Sequence, residues 1–163
     1  METLVVSTDV RVPPAEAYAF LLDFPGYARY STHLDSVTAY GDGSPGTEYD
    51  LTFSWWRLSH TVRSRVTGTD EPHEIRWEVV DGLQAQGRWG VEETAAGSRV
   101  SLVVTYDPDS ASGVVDLPAL VSLDWVVDRA MPFIEAEARR VVERVVADIE
   151  GERRPVELTV ETR

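Results

Sequence analysis

From Thr47 the chain alternates. Tyr49, Leu51, Phe53 and Trp55 are interleaved with Glu48, Asp50, Thr52 and Ser54, the period-two pattern of a strand with one buried face. Beyond Arg57 the parity reverses: Leu58, His60, Val62, Ser64 and Val66 now alternate with Ser59, Thr61, Arg63 and Arg65. A reversal across so short a gap is the signature of a tight hairpin, so a turn is expected at Trp56-Arg57. Trp55 then becomes the last inward residue of its strand, and Trp56 falls outside the alternation.

Three further strands follow on the same reasoning. Ile75, Trp77 and Val79 share a face before Asp81-Gly82, and Ala85, Gly87, Trp89 and Val91 share one before the turn near Ala96-Gly97. Val100, Leu102, Val104 and Tyr106 share one before Asp107-Pro108. Short strands joined by turns about ten residues apart make an antiparallel meander. Upstream, Leu4 to Val12 is β-rich and ends at Pro13-Pro14. Ala15 to Leu22 reads as a short helix with Pro14 near its first position. "DFPGYARYSTHLDS" is punctuated by Pro25 and Gly26 and is expected as a loop with one more helical turn. Val37 to Tyr40 forms a short strand ahead of the turn-rich "GDGSPG".

The period then changes. Leu120, Leu123, Val127, Met131, Ile134, Ala138, Val141, Val145 and Ile149 recur at three- and four-residue steps, one stripe of a long helix. Pro132 lies inside it, where a kink or break is expected. Gly151 ends the helix, leaving residues 152–163 as a charged tail with a strand-like patch at Val156 to Val160. The order of strand, helix, six-strand meander and long helix specifies an α+β domain over residues 1–151. A curved antiparallel sheet of about seven strands needs a cover for its apolar face, and the terminal helix is long enough to supply it. The space between the two is where a ligand sits in such an arrangement.

Charge narrows the classes of partner. The chain holds 28 acidic residues against 15 basic ones, all arginine, for a net charge of −13. Nucleic acid and anionic membrane surfaces repel such a surface. The acidic, lysine-free composition resembles that of proteins from salt-loving archaea. No cysteine is present, which removes disulfides, thiol nucleophiles and thiolate metal sites. No segment approaches the ~20 apolar residues of a membrane span, and the N-terminus lacks a signal-peptide pattern, so a cytoplasmic location without membrane insertion is expected.

Several local motifs carry a resemblance. "VPPAEAYAFLLDFPGYARY" follows the first strand, "SRV" stands at Ser64 to Val66, and Asp81-Gly82, "GRW" at Gly87 to Trp89 and "GSRVSL" at Gly97 to Leu102 precede the long helix. In this order the chain resembles the START-like (SRPBCC, helix-grip) superfamily, most of all its coenzyme Q-binding and polyketide cyclase-like branch, over roughly residues 3–150. The resemblance implies a helix-grip fold, with one or two short helices after the first strand and a cavity under the last helix. It implies no single reaction, because folds host many functions.

The inward aromatic set, Tyr49, Phe53, Trp55, Trp77, Trp89 and Tyr106, is the main candidate ligand-binding surface, with Leu123, Val127 and Met131 facing it from the helix. The alternative is that these residues fill an ordinary core. Tyr27, Tyr30 and His33 lie in the segment that borders the cavity entrance in similar folds, or else pack that loop. His60 shares the apolar face with Val62 just past the hairpin. It either bonds a ligand oxygen at the cavity mouth or bonds backbone at a strand start, and it is the one weak catalytic candidate. His73, beside Pro72, is expected on a surface turn. Asp124 and Asp128 lie one turn apart near the helix stripe, either reaching the cavity or forming a surface pair. Arg63, Arg65 and Arg76 fall on the polar parity as outer-face partners of Glu74 and Glu78. The three histidines lack metal-type spacing, and neither a nucleophile elbow nor a phosphate loop occurs, so no metal or cofactor is expected.

Three functions are therefore carried forward. The first is binding or carriage of a small hydrophobic molecule (a quinone, lipid or polyketide-like aromatic) by a monomer or weak homodimer. The second is a polyketide cyclase/dehydratase acting by general acid–base chemistry through His60, with Tyr49 or Tyr106 assisting. The third is a protein-interaction module like the superfamily's ribosome-associated toxin branch, which requires an exposed apolar patch.

Overall fold

The first strand, β1 (Glu2–Val10), stops where Pro13 and Pro14 remove two backbone donors. Pro13 takes the extended conformation, with φ −61° and ψ 154°, and its carbonyl accepts from the N–H groups of Glu16 and Ala17. That starts helix α1 (Pro14–Leu22), which a 3-10 helix at Phe24–Arg29 continues. Six strands follow: β2 (Leu34–Tyr40), β3 (Glu48–Trp55), β4 (Leu58–Asp70), β5 (Glu74–Val79), β6 (Ala85–Thr94) and β7 (Gly97–Tyr106). Helix α2 (Leu123–Glu150) and strand β8 (Thr159–Thr162) complete the chain. This computed structural model describes residues 1–55, 58–81, 84–107, 110 and 123–163, and the side chains of 55, 58 and 123–134 lie outside the description.

All eight strands form one antiparallel sheet in the order β2-β3-β4-β5-β6-β7-β1-β8. The six-strand meander is present in sequence order. The parity reversal is there as well: Trp55 pairs with Leu58, which leaves residues 56 and 57 as the hairpin connection, outside the described residues. The expected turn at Asp81-Gly82 likewise falls partly on residues outside the description.

Three expectations need correction. The sheet has eight strands, because the segment expected as a charged tail pairs with β1 over Leu4 to Ser7. Its strand also starts later than the Val156–Val160 patch, because Val156 is taken by the core at 4% exposure. Of the kink or break expected at Pro132, the break does not occur: helix α2 is continuous from Leu123 to Glu150. Of the expected stripe, Leu120 to Ile134 lie outside the described side chains and Ile149 packs inward as expected, but Val142 and Val146 take the places expected for Val141 and Val145, with Val146 fully buried. The doublets Val141-Val142 and Val145-Val146 make the apolar stripe two residues wide, so spacing alone does not choose between them.

The end of α2 is fastened to β1. The Glu150 carboxylate accepts from Arg154 at 2.8 and 2.9 Å and from the Arg11 backbone N–H at 2.9 Å, while Arg154 also donates to the Asp9 carbonyl at 3.0 Å. Only 6% of the Glu150 side chain is exposed. The arginine hydrogen bonds first, and the Arg11 N–H with them, hold its carboxyl below the usual carboxylate range against the opposing effect of burial. Gly97 serves the same end of the sheet: its φ is +152°, and a Cβ there would lie 2.5 Å from the Val10 carbonyl oxygen.

On the outer face, Arg76 pairs with Glu74 at 3.4 Å as expected. Arg65 bridges Glu48 and Glu78, at 2.8 and 3.6 Å. Arg63 is instead bidentate to Asp50, at 2.8 and 3.0 Å, because β3 and β4 set these two residues directly opposite.

Candidate functional site

The register shows which residues share the inner face. Ile75, Trp89, Leu102 and Val6 form one row across β5, β6, β7 and β1, and Trp77, Gly87, Val104 and Leu4 form the next. Phe53 stands opposite His60, Leu51 opposite Val62 and Tyr49 opposite Ser64 on β3 and β4.

This face has two halves of different character. Toward the start of β7, Val66, Ile75, Val91 and Ser98 are each at most 2% exposed, beneath α1, the 3-10 helix and the last turns of α2. Ser98 donates to the Val12 carbonyl at 2.7 Å, which satisfies its buried hydroxyl. Phe20, Phe24, Tyr27, Tyr30, Tyr49 and Trp89 stack through one another over this half, with ring centres 4.6 to 6.2 Å apart. The other half is not packed in this way. Leu4, Val62, Trp77, Val79, Leu102 and Val104 are only partly buried and lie outside the core cluster, and Phe53 is 42% exposed.

Two features shape the open half. Trp77 lies across Gly87: a Cβ on that glycine would come within 2.5 Å of the indole Cζ2 and 2.6 Å of the Val103 carbonyl oxygen. The glycine of "GRW" is therefore the floor on which the indole rests. At the strand ends, the Tyr106 hydroxyl donates to the Glu2 carboxylate at 3.1 Å. Burial, then the bond to Glu2 and its charge, push the phenol of Tyr106 up from its ordinary value. At neutral pH this phenol is a proton-bearing donor.

The expected site residues are distributed between the halves. Tyr49 is 2% exposed and belongs to the closed half, against the ring of Phe24; burial first, then the charges of Asp23 and Asp42, raise its phenol. Trp89 is packed against the core, edge-on to Tyr27. Tyr27 donates to the Leu21 carbonyl, and burial raises its phenol far above the ordinary range. Tyr30 is 9% exposed and stands against Phe20. The ring of His33 lies 3.3 Å from the Ser54 carbonyl oxygen, beside β3. His60 is exposed, and its ring makes no hydrogen bond among the described residues. His73 is exposed at the β4–β5 turn. Phe53, Trp77 and Tyr106 belong to the open half. The side chains of Trp55, Leu123, Asp124, Val127, Asp128 and Met131 lie outside the described residues.

Three residues at this site were not singled out from the sequence. Glu2 continues the Leu4, Val6 alternation toward the N-terminus, so parity alone places it inward. Phe20 on α1 and Phe24 at the start of the 3-10 helix, four residues apart, had the spacing of a packing face. Among the described residues, no group of three or more His, Asp or Glu side chains converges as a metal site requires. No described helix is long and apolar enough to cross a membrane.

Known proteins share this architecture. The Zhui aromatase/cyclase from Streptomyces sp. R1128 is 17% identical, with a TM-score of 0.65 over 92% of each chain. Ara h 8.0201 is 16% identical, with a TM-score of 0.64 over 92% of this chain and 98% of that one. The di-domain ARO/CYC StfQ of the steffimycin biosynthetic pathway is 16% identical, with a TM-score of 0.65 over 91% of this chain. The chain spans about half of StfQ, 51% of its length. At these identities the likeness establishes the fold. No curated protein sequence matches. Residues 1–150 match the family described as polyketide cyclase / dehydrase and lipid transport. With nearly its whole length matched and its sheet and terminal helix arranged as in these structures, the chain belongs to that family, within the START-like superfamily.

Proposed function

We propose that the protein binds a small hydrophobic molecule, a quinone, lipid or polyketide-like aromatic, between the open half of the inner face and α2. One observation carries this reading: six apolar residues, Leu4, Val62, Trp77, Val79, Leu102 and Val104, share the face of the core yet lie outside it. Covering about 200 Å² of such surface is worth about 5 kcal/mol before the costs of association. Phe53 and Trp77 supply flat apolar contacts for a ring system. Trp55 and the helix residues Leu123, Val127 and Met131 complete the lining in this reading. Tyr106, whose one hydroxyl proton goes to Glu2 in the unliganded protein, exchanges that partner for a ligand oxygen and so orients it, and His60 is a second polar group at the rim. The net charge of −13 favours a monomer or weak homodimer through repulsion between like-charged chains, and a cytoplasmic location is part of the same reading.

A second reading, a cyclase or dehydratase of the polyketide type, is favoured by the pairing of Tyr106 with Glu2 on this face. Such chemistry needs a proton donor and acceptor within reach of bound substrate, and a phenol held by a carboxylate offers both in one place.

Mass spectrometry of small molecules co-purifying from the native host, with 2-naphthol, palmitate and a short-chain quinone as added probes, tests the binding reading. An apolar molecule retained in stoichiometric amount, or saturable binding of one probe, is the expected result. No retained apolar molecule and no saturable probe binding would overturn it.

A further inference from the structure

A cleft lies at the C-terminal end of α2, away from the face that carries Val142, Val146 and Ile149. The end of the 3-10 helix, the last turns of α2 and the segment after Gly151 enclose about 960 Å³. Five arginines line it: Arg29, Arg140, Arg144, Arg153 and Arg154. One third of the chain's 15 arginines thus meet in one groove. Glu143, Asp148 and Glu152 share the lining, and Glu137 and Glu150 reach two of the arginines from its edge. The groove is therefore close to neutral in a chain of net −13, and what distinguishes it is which guanidinium groups are left without an ion pair.

The arginines differ in what occupies them. Arg154 is bound to Glu150 at 2.8 Å, and Arg140 reaches Glu137 at 3.5 Å. Arg144 donates to the Tyr30 carbonyl at 2.6 Å, which anchors α2 to the 3-10 helix without neutralising its charge. Among the described residues, no carboxylate lies within ion-pairing distance of Arg29, Arg144 or Arg153. Asp148 is engaged by the Tyr30 hydroxyl. In a protein with nearly twice as many carboxylates as arginines, three unpaired guanidinium groups around one cleft are poorly explained by packing. Guanidinium groups recognise phosphate oxygens through paired N–H donors, and a volume of this order accommodates a nucleotide-sized molecule.

We propose that this groove is a binding site for a phosphate-bearing small molecule, held by Arg29, Arg144 and Arg153, separate from the apolar site on the inner face. The groove lies beside the Arg144–Tyr30 contact, so its occupant bears on the anchor between α2 and the segment leading into β2.

Isothermal titration calorimetry with pyrophosphate, ADP and citrate at low and high potassium chloride tests this. Pyrophosphate or ADP is expected to saturate one site with an affinity that falls as salt rises. Arg29 and Arg153 are both exposed, so the double variant R29Q/R153Q keeps the fold and is expected to weaken binding at least tenfold. E152Q removes a competing carboxylate and is expected to tighten it several-fold. R99Q, an exposed arginine on β7 outside the groove, is expected to leave it unchanged. No saturable heat with either phosphate compound would overturn the proposal. So would tighter binding of citrate than of both phosphate compounds, or equal affinity in wild type and R29Q/R153Q. Each of these outcomes is independent of whether 2-naphthol binds the inner face.

Discussion

The closed and open halves of the inner face are built from the same strands and the same alternation, yet among the described residues only one joins the core cluster. Ile75 and Trp77 are two residues apart on β5; the first is fully buried and the second is not. The difference lies in what covers them. Over Ile75 the sequence supplies α1, the 3-10 aromatics and Val146 of α2. In the row of Trp77, Val66 on β4 belongs to that cluster, while Trp77, Val104 and Leu4 lie outside it. An apolar face alone therefore does not specify a core; the elements that cross it do.

Breaking the closed half has the largest expected effect. Ile75→Ala should cost about 2–5 kcal/mol of stability, read as a shift in the urea midpoint. Phe53→Ala, on the open half, should cost under about 1 kcal/mol. Equal losses at the two positions would erase the distinction.

Gly87→Val acts at the boundary. A side chain there meets the Trp77 indole and the Val103 carbonyl at under 3 Å, so the indole must move. A loss of about 1–3 kcal/mol is expected, together with a change in tryptophan emission and weakened 2-naphthol binding. Retention of both would remove Trp77 from the site.

Glu150→Gln loosens the closed half from the α2 end and should cost about 1–2 kcal/mol. The sign with pH follows from the depressed carboxyl. Its contribution is fully present above the unfolded value near 4.5 and is lost as pH falls through the lower folded value. The wild type should therefore lose more stability than Glu150→Gln between about pH 5 and pH 3 in thermal melts. Parallel curves would contradict the role of this latch.

Tyr106→Phe is the mildest change. Stability should stay within about 0.5 kcal/mol, while the preference for 2-naphthol over naphthalene falls several-fold, about the worth of one hydrogen bond. An unchanged preference would deny Tyr106 the orienting role.

Much of this contrast was legible in the sequence. Period-two alternation placed the meander strands, and the parity reversal after Trp55 placed the β3–β4 hairpin, because register admits no intermediate state. The inward positions of Phe53, Trp77 and Tyr106 followed from the same rule. What alternation cannot carry is the identity of the cover. Tyr49 and Phe53 have the same parity, yet Tyr49 is core because Phe24, fixed by a 3-10 turn, lands on it. The valine doublets of α2 hid which member of each packs inward. The tail's strand was read as a patch at Val156 to Val160, but its true bounds, Thr159–Thr162, are polar, and an edge strand is held by backbone hydrogen bonds that any side chain permits. The arginine groove joins Arg29 to four arginines between positions 140 and 154, more than a hundred positions away, and only the fold brings the two segments together.

The register of β5 and β6 sets Trp77 on the inner face opposite Gly87, while Trp56 and the side chain of Trp55 lie outside the described residues. The most direct test is a proton–nitrogen NMR titration with 2-naphthol, following the indole N–H signals of the five tryptophans, with Trp77 assigned through Trp77→Phe. Saturable shifts at Trp77, with the amides of Val66, Ile75 and Val91 unmoved, are the predicted result. Shifts confined to the closed half or to the arginine groove, or no saturable shift at Trp77, would contradict an apolar site on the open half of the sheet.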